Sequence, residues 1–321
     1  MMKDMEKIEA FYELRDSNGT TNRKNIEKYQ QVIRRIKTTD KSKSFENSEK
    51  RSDGLVIEDG KLIGFGIHIL NEDIYPLQSF EIYLRNCHLV GELDLSDKKD
   101  LLFVDIYHNK ISYVDVAGDR SLRILGLQDN QIKELDVSDL ESCQGIDAGQ
   151  NKLEQLDISA NHNLVELYIN DNQISEIDLS GCPKLKYFYC HNNRISCLDT
   201  RANPLLRHLN STGNPLQQIL SLAPGHEGQI PLELTAGAGG YIGLKYNPIY
   251  DAQWKETGEW EQSYYAYPRE GFCLEGWYDE KGHLISKQDI WYDPYGTGRK
   301  MTARFTSSQV NSELRIGTVK E

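Results

Sequence analysis

The chain has 321 residues, with 37 Lys or Arg against 49 Asp or Glu, and a formal net charge of −12. That balance argues against a phosphate-neutralising surface spread over the whole molecule, so nucleic acid is not an expected partner. No apolar run approaches the roughly 18 residues that a membrane-spanning helix needs, and the opening MMKDMEKIEAFYELRD is too charged for a signal peptide.

From the N-terminus, Glu6 to Leu14 reads as a helix and Asp16-Ser17-Asn18-Gly19 as a turn. Ile26, Tyr29, Val32, Ile33 and Ile36 then mark one apolar face of a second helix. Such a hairpin either caps the body that follows or presents a helix pair to a partner. Thr38 to Asp53 is almost free of apolar residues and reads as a linker. Residues 1–53 are thus a helical hairpin with a polar linker. Leu55 to Ile69 places Asp59-Gly60 between two apolar runs, the pattern of a β-hairpin, and begins a second segment over 54–222.

The centre of the chain repeats itself. Asn109, Asn130, Asn151, Asn172, Asn193 and Asn214 fall 21 residues apart, and Asp94, Asp115, Asp136, Asp157, Asp178 and Asp199 keep the same interval in a second register. A fixed period of this size means stacked supersecondary units. The regular repeats start at Leu101, Leu122, Cys143, Leu164, Leu185 and Leu206. Phe80 to Leu95 is an irregular first one, with Cys87 in place of the Asn and an extra residue at Gly91. Within a repeat, Leu167 and Ile169 alternate with Tyr168 and Asn170, which is strand periodicity with one buried face. Parallel stacking of one such strand per coil brings the inward residues together at about 4.8 Å. An Asn at the turn after each strand can bond the backbone groups that the coil leaves unpaired. The ladder of six Asn is therefore structural. The outer side of each coil is too short for a long helix and reads as extended or 3₁₀ segments.

The residues Leu164, Leu167, Ile169, Asn172, Ile174, Ile177 and Leu179 follow L-x-x-L-x-L-x-x-N-x-L with a trailing L-D-L-S. In this pattern the chain resembles the leucine-rich repeat family, in the short variety of bacterial internalin-like surface proteins. The resemblance implies a mostly β solenoid with a parallel sheet, whose outward strand residues form a concave binding face. Tyr83, Asp105, Tyr107, Gln128, Tyr168, Asn170, Tyr187, Tyr189 and His191 take such positions. Tyrosines beside amides and carboxylates suit contact with a protein or a glycan, because tyrosine joins a large apolar area to a polar tip. The alternative is an ordinary solubilised sheet.

Catalysis and metal binding are not expected. Asp105 with Asp147, and Asp129 with Asp171, stand two repeats apart, about 10 Å by strand spacing, on a sheet with no pocket to shift one pKa. No H-E-x-x-H, G-x-S-x-G or phosphate loop occurs. Cys182, Cys190, His191 and Cys197 have the composition of a zinc set, but Cys190 and His191 are adjacent on a strand and point to opposite faces. None of the six cysteines recurs at the repeat spacing, so stacked disulfides are not expected either.

The period ends after Ile219, and Ala223-Pro224-Gly225-His226 opens a different composition over 223–321. Tyr241, Tyr246, Trp254, Trp260, Tyr264, Tyr265, Phe272, Trp277, Tyr278, Trp291, Tyr292 and Phe305 crowd this segment, which reads as a small β domain. The run Y-P-R-E-G-F-C-L-E-G-W-Y-D-E-K-G-H-L-I-S, with M-T-A-R-F after it, resembles the divergent internalin B-repeat, also called the Listeria-Bacteroides repeat. Gly276-Trp277-Tyr278-Asp279 and Ala303-Arg304-Phe305 carry that likeness, which implies a grasp-like module. Phe272 and Trp277 are expected in its core. Together these resemblances imply a monomeric, non-catalytic binding or adhesion protein of a bacterium, secreted or at the cell surface, with no cofactor, no metal, no nucleic acid and no membrane insertion. An intracellular interaction scaffold or effector is the alternative, favoured by the charged opening.

Overall fold

A coil of 21 residues is the building element of the computed structural model, which describes residues 10–25, 49–50, 55–58, 61–65, 88–97, 101–225, 228–292 and 300–308. The chain falls into two units, Met1–Asn172 and Gln173–Glu321. Both are mostly β.

In the first unit, β1 (Glu49–Lys50), β2 (Leu55–Glu58) and β3 (Lys61–Phe65) form an antiparallel set, with Leu55 opposite Phe65 as the Asp59-Gly60 signal predicts. β1 lies inside the stretch read as a linker. β3 then pairs in parallel with β5 (Phe103–Asp105). From there β7 (Ile124–Gly126), β8 (Gly145–Asp147) and β9 (Glu166–Tyr168) add in parallel, one per coil. A 21-residue period returns each position to the same place, so Val104, Leu125, Ile146 and Leu167 pair in register and are all 0% exposed. On the outer side, β4 (Val90–Asp94) and β6 (Lys110–Asp115) pair in parallel, and the later coils run as extended segments and turns.

Both polar ladders are structural. In the first unit each Asn carboxamide bridges two coils: Asn130 Oδ1 accepts the Ile111 N–H, Asn151 Oδ1 that of Ile132, and Asn172 Oδ1 that of Leu153. The Nδ2 of Asn151 donates to Leu127 O in the preceding coil and to Ala148 O and Gly149 O in its own. The aspartates close the outer turns, with Asp94, Asp136 and Asp157 accepting the N–H two residues on, from Ser96, Ser138 and Ser159. Bonding to the Ser138 and Ser159 backbone and hydroxyl groups holds Asp136 and Asp157 below the ordinary carboxylate value of 3.8.

The N-terminal segment docks on the first coil. Short helical turns at 10–13 and 22–25 flank the Asp16 turn, and Phe11 and Tyr12 are buried. Asn22 Oδ1 accepts the Val90 N–H while its Nδ2 donates to Val90 O and Phe11 O. A carboxamide from outside the repeats thus bonds the edge of the first coil. The second helix read from Ile26 to Ile36 lies outside the described residues.

In the second unit, β10 (Tyr187–Tyr189) and β12 (His208–Asn210) are parallel coil strands, and so are β11 (Cys197–Asp199) and β13 (Gln218–Gly225). The remaining strands are β14 (Gly228–Ala236), β15 (Gly240–Tyr250), β16 (Glu256–Pro268), β17 (Phe272–Asp279), β18 (Leu284–Ser286), β19 (Ile290–Tyr292) and β20 (Lys300–Ser307). One sheet of this unit runs β10-β12-β15-β16-β19 and the other β11-β13-β14-β20-β17-β18, so the coil strands and the later strands share hydrogen-bonded sheets. Leu209, Leu234, Tyr246, Tyr264, Trp277, Met301 and Ala303 are buried. Trp277 is core, as expected from the sequence. Phe272 is not: it is 39% exposed, because it starts β17 and lies over Gly239, where a Cβ would meet its ring at 2.4 Å.

Candidate functional site

The outward face of the coil strands is where the sequence assigns a ligand surface. Directly opposed residues in a sheet share a face, so the register identifies which side chains stand together. In the first unit much of this face is closed by its own side chains. Asp105 and Tyr107 point outward but are 4% and 3% exposed, which corrects the expectation of open contacts there. The cause is Gly126 in the next coil. A Cβ there would stand 3.0 Å from the Tyr107 ring, and over this glycine the tyrosine crosses to donate its hydroxyl to Asp147 Oδ2 at 2.6 Å. Asn170 likewise lies against Gly149 and donates to Asp171 Oδ2. Gln128 and Tyr168 are half-buried, and His108 Nδ1 meets Asp129 Oδ2 at 2.6 Å. Tyr83 lies outside the described residues.

The residue before each ladder Asn holds a left-handed backbone: His108, Asp129, Gln150 and Asp171 in the first unit, Asn192 and Gly213 in the second. This conformation bends the chain out of the strand so that the following carboxamide can turn inward. Its only sequence hints are the enrichment of Asp, Asn and His and the glycine at 213.

In the second unit the face is more open. Tyr187, Tyr189 and His191 are half-buried. Tyr187 stacks on His208 with ring centroids 4.3 Å apart and planes at 17°, and Tyr189 meets His191 edge-on at 6.5 Å. Burial pushes the His208 pKa below its ordinary value of 6.5. Asn247 Oδ1 stands 3.4 Å from the Tyr189 hydroxyl and 3.3 Å from His208 Nδ1.

Asn247 belongs to β15, and with it the face gains residues that sequence reasoning missed. Asn210 opposes Lys245, Lys245 opposes Ser263, and Ser263 opposes Tyr292, while Gly243 opposes Tyr265 and Tyr265 opposes Ile290. Tyr265 and Tyr267 are parallel at 6.1 Å and 10°, Ile290 is 58% exposed and Tyr292 45%. The antiparallel strands therefore extend the coil face with aromatic and aliphatic surface. Period-two alternation in β16 was readable; its partnership with a coil strand was not.

The described cysteines are free thiols. Burial raises Cys143 to about 12 and Cys182 to about 11, and pushes Cys190 higher still, so all three are unreactive, whereas Cys197 is exposed. Among the described residues no group of three or more His, Cys, Asp or Glu is arranged to hold a metal ion, and no helix is long and apolar enough to cross a membrane.

A family model described as leucine-rich repeats (2 copies) matches residues 162–203. Among solved structures, the chain is similar to an internalin, InlF, of Listeria monocytogenes at 20% identity, over 41% of this chain and 44% of that one, with a TM-score of 0.34. A leucine-rich repeat protein of Leptospira interrogans is similar at 21% identity over 37% and 39%, with a TM-score of 0.29. The functional domain of InlJ from Listeria monocytogenes, whose description includes a cysteine ladder, is similar at 18% identity over 71% and 50%, with a TM-score of 0.30. The matched part is half or less of each of these chains. No curated protein matches.

Proposed function

We propose that this leucine-rich repeat chain is a non-catalytic binding protein of the bacterial surface that recognises a protein partner through the outward face of its coil strands. The observation that carries the reading is the open aromatic surface of the second unit, where the Tyr187–His208 stack, Tyr189, Tyr265, Tyr267, Ile290 and Tyr292 stand beside the amides of Asn210 and Asn247. Aromatic side chains with a polar tip dominate interface energetics, and several of them on one sheet face can anchor a partner. In this reading residues 1–53 serve as cap and linker, 54–222 as the solenoid, and 223–321 as a B-repeat-like β domain that widens the same face. The chain acts as a monomer.

The test is capture of surface-exposed proteins by the immobilised chain, followed by affinity measurement on the captured partner. Tyr189→Ala combined with Tyr265→Ala should weaken binding by about tenfold or more without lowering the melting temperature much, beside Glu176→Ala as an exposed control. Full affinity in the double variant with loss in the control moves the site off this face. Binding on a glycan array and to no protein would replace the partner class.

A further inference from the structure

Among the described residues three turns share one hydrogen-bond pattern, at Asp16–Thr20, Asp251–Lys255 and Asp279–His283. In each, the Asp N–H donates to the carbonyl four residues on, and the Asp carbonyl accepts the N–H three residues on. The Asp Oδ1 accepts the N–H groups two and four residues on, at 2.8 to 2.9 Å throughout. The fourth residue of such a turn has a left-handed backbone. In two of the turns it is a glycine, Gly19 with φ 75° and Gly282 with φ 81°; in the third it is Trp254, with φ 60°. Glycine takes this conformation without a Cβ clash, whereas a bulky L residue is strained by it.

Packing does not compensate Trp254, which is 85% exposed. It stands at the tip of the β15–β16 hairpin, with Tyr250 38% exposed at the base of the turn. Asp251 and Glu256 are exposed carboxylates at the turn, and Glu259 and Glu261 follow along β16, with Glu261 opposite Asn247, against Lys255 as the basic residue in 251–261. Glu256 is paired with Arg207, whose guanidinium also lies over the Trp260 ring.

We propose that the tip of this hairpin is a docking surface for a basic segment of a protein partner. An exposed indole is the best aromatic acceptor for a Lys or Arg head group, and the flanking carboxylates supply the complementary charge that steers such a segment and fixes its register. The Asp251 turn fixes the backbone from which the indole projects, so little backbone freedom is lost when it is covered.

The experiment uses the full chain with Trp254→Gly, which rebuilds the turn of 279–283 without changing the net charge. An oligo-arginine peptide is titrated against both, with an oligo-glutamate peptide of equal length as control, and melting temperatures are recorded. The expected result is oligo-arginine binding that Trp254→Gly weakens by about tenfold or more, that weakens as salt is raised, and that Glu259→Gln with Glu261→Gln also reduces. Trp254→Gly should melt higher than the parent chain. Equal affinity in parent and Trp254→Gly overturns the proposal, since charge alone would then explain binding. So does failure of the parent to bind oligo-arginine, equal binding of oligo-glutamate, or a lower melting temperature for Trp254→Gly, which would make the indole a packing residue.

Discussion

Replacing Asn151 by Ala removes four hydrogen bonds from the interior of the first unit. Their loss is unequal. The three carbonyls it serves each keep another donor: Asn130 Nδ2 on Leu127, Asn172 Nδ2 on Ala148, and the Asp129 N–H on Gly149. The Ile132 N–H bonds Asn151 Oδ1, and Ile132 is 0% exposed, so truncation leaves this donor unpaired away from water. An orphaned buried amide costs about 1–3 kcal/mol, and the weakened carbonyls move the expectation into the upper half of that range. Asn151→Asp should be worse than Ala at neutral pH, because it keeps the acceptor for Ile132 but turns a second oxygen toward three carbonyls. Urea unfolding followed by circular dichroism measures both, with Lys152→Ala as an exposed neighbour. A midpoint shift for Asn151→Ala no larger than for Lys152→Ala would refute the reasoning.

Gly126→Val should lift Tyr107 off Asp147 and destabilise the first unit by about 1–3 kcal/mol; an unchanged urea midpoint would mean that the ring has another resting place. Asp136 and Asp157 titrate below 3.8 in the folded chain. Their contribution is therefore fully present above that value and lost as the pH falls through the folded pKa. Melting temperature should hold from neutral pH to about 4.5 and drop below about 4, with a smaller drop in Asp157→Asn. Among the described cysteines, iodoacetamide at pH 8 should label Cys197 first and reach Cys143 and Cys190 only on unfolding, as peptide mass spectrometry would report.

Much of the fold was legible because a repeat states the same instruction several times. The columns through Val104, Leu125, Ile146 and Leu167, the Asn carboxamides and the Asp turns all follow from one period. What escaped depended on a residue elsewhere. Tyr107 is buried because position 126 is glycine, a fact of the next coil. Asn161 and Asn203 form a second buried Asn series, each donating to two carbonyls of the coil before: Val137 and Leu140 for Asn161, Leu179 and Cys182 for Asn203. Their interval is two coils, with Leu140 and Cys182 at the positions one coil earlier, so a search at 21 residues passes over them. The sheet face of the second unit was half legible. Tyr187, Tyr189 and His191 follow from alternation, whereas Tyr265, Ile290 and Tyr292 join them through antiparallel pairing that no local pattern encodes.

The direction of the Asn bridges gives each coil an order of completion. Asn130 serves Ile111, Asn151 serves Ile132, and Asn172 serves Leu153 in the first unit, as Asn193 serves Ile174 and Asn214 serves Ile195 in the second. In every case the later coil satisfies the earlier one. A chain leaving the ribosome therefore carries one unfinished turn at its growing end, which becomes whole only when its successor emerges. Past Asn214 the ladder ends, and a strand pairs the next position at its carbonyl, as the Ile242 N–H donates to Leu216 O. Synthesis halted between those two residues would strand the last coil open.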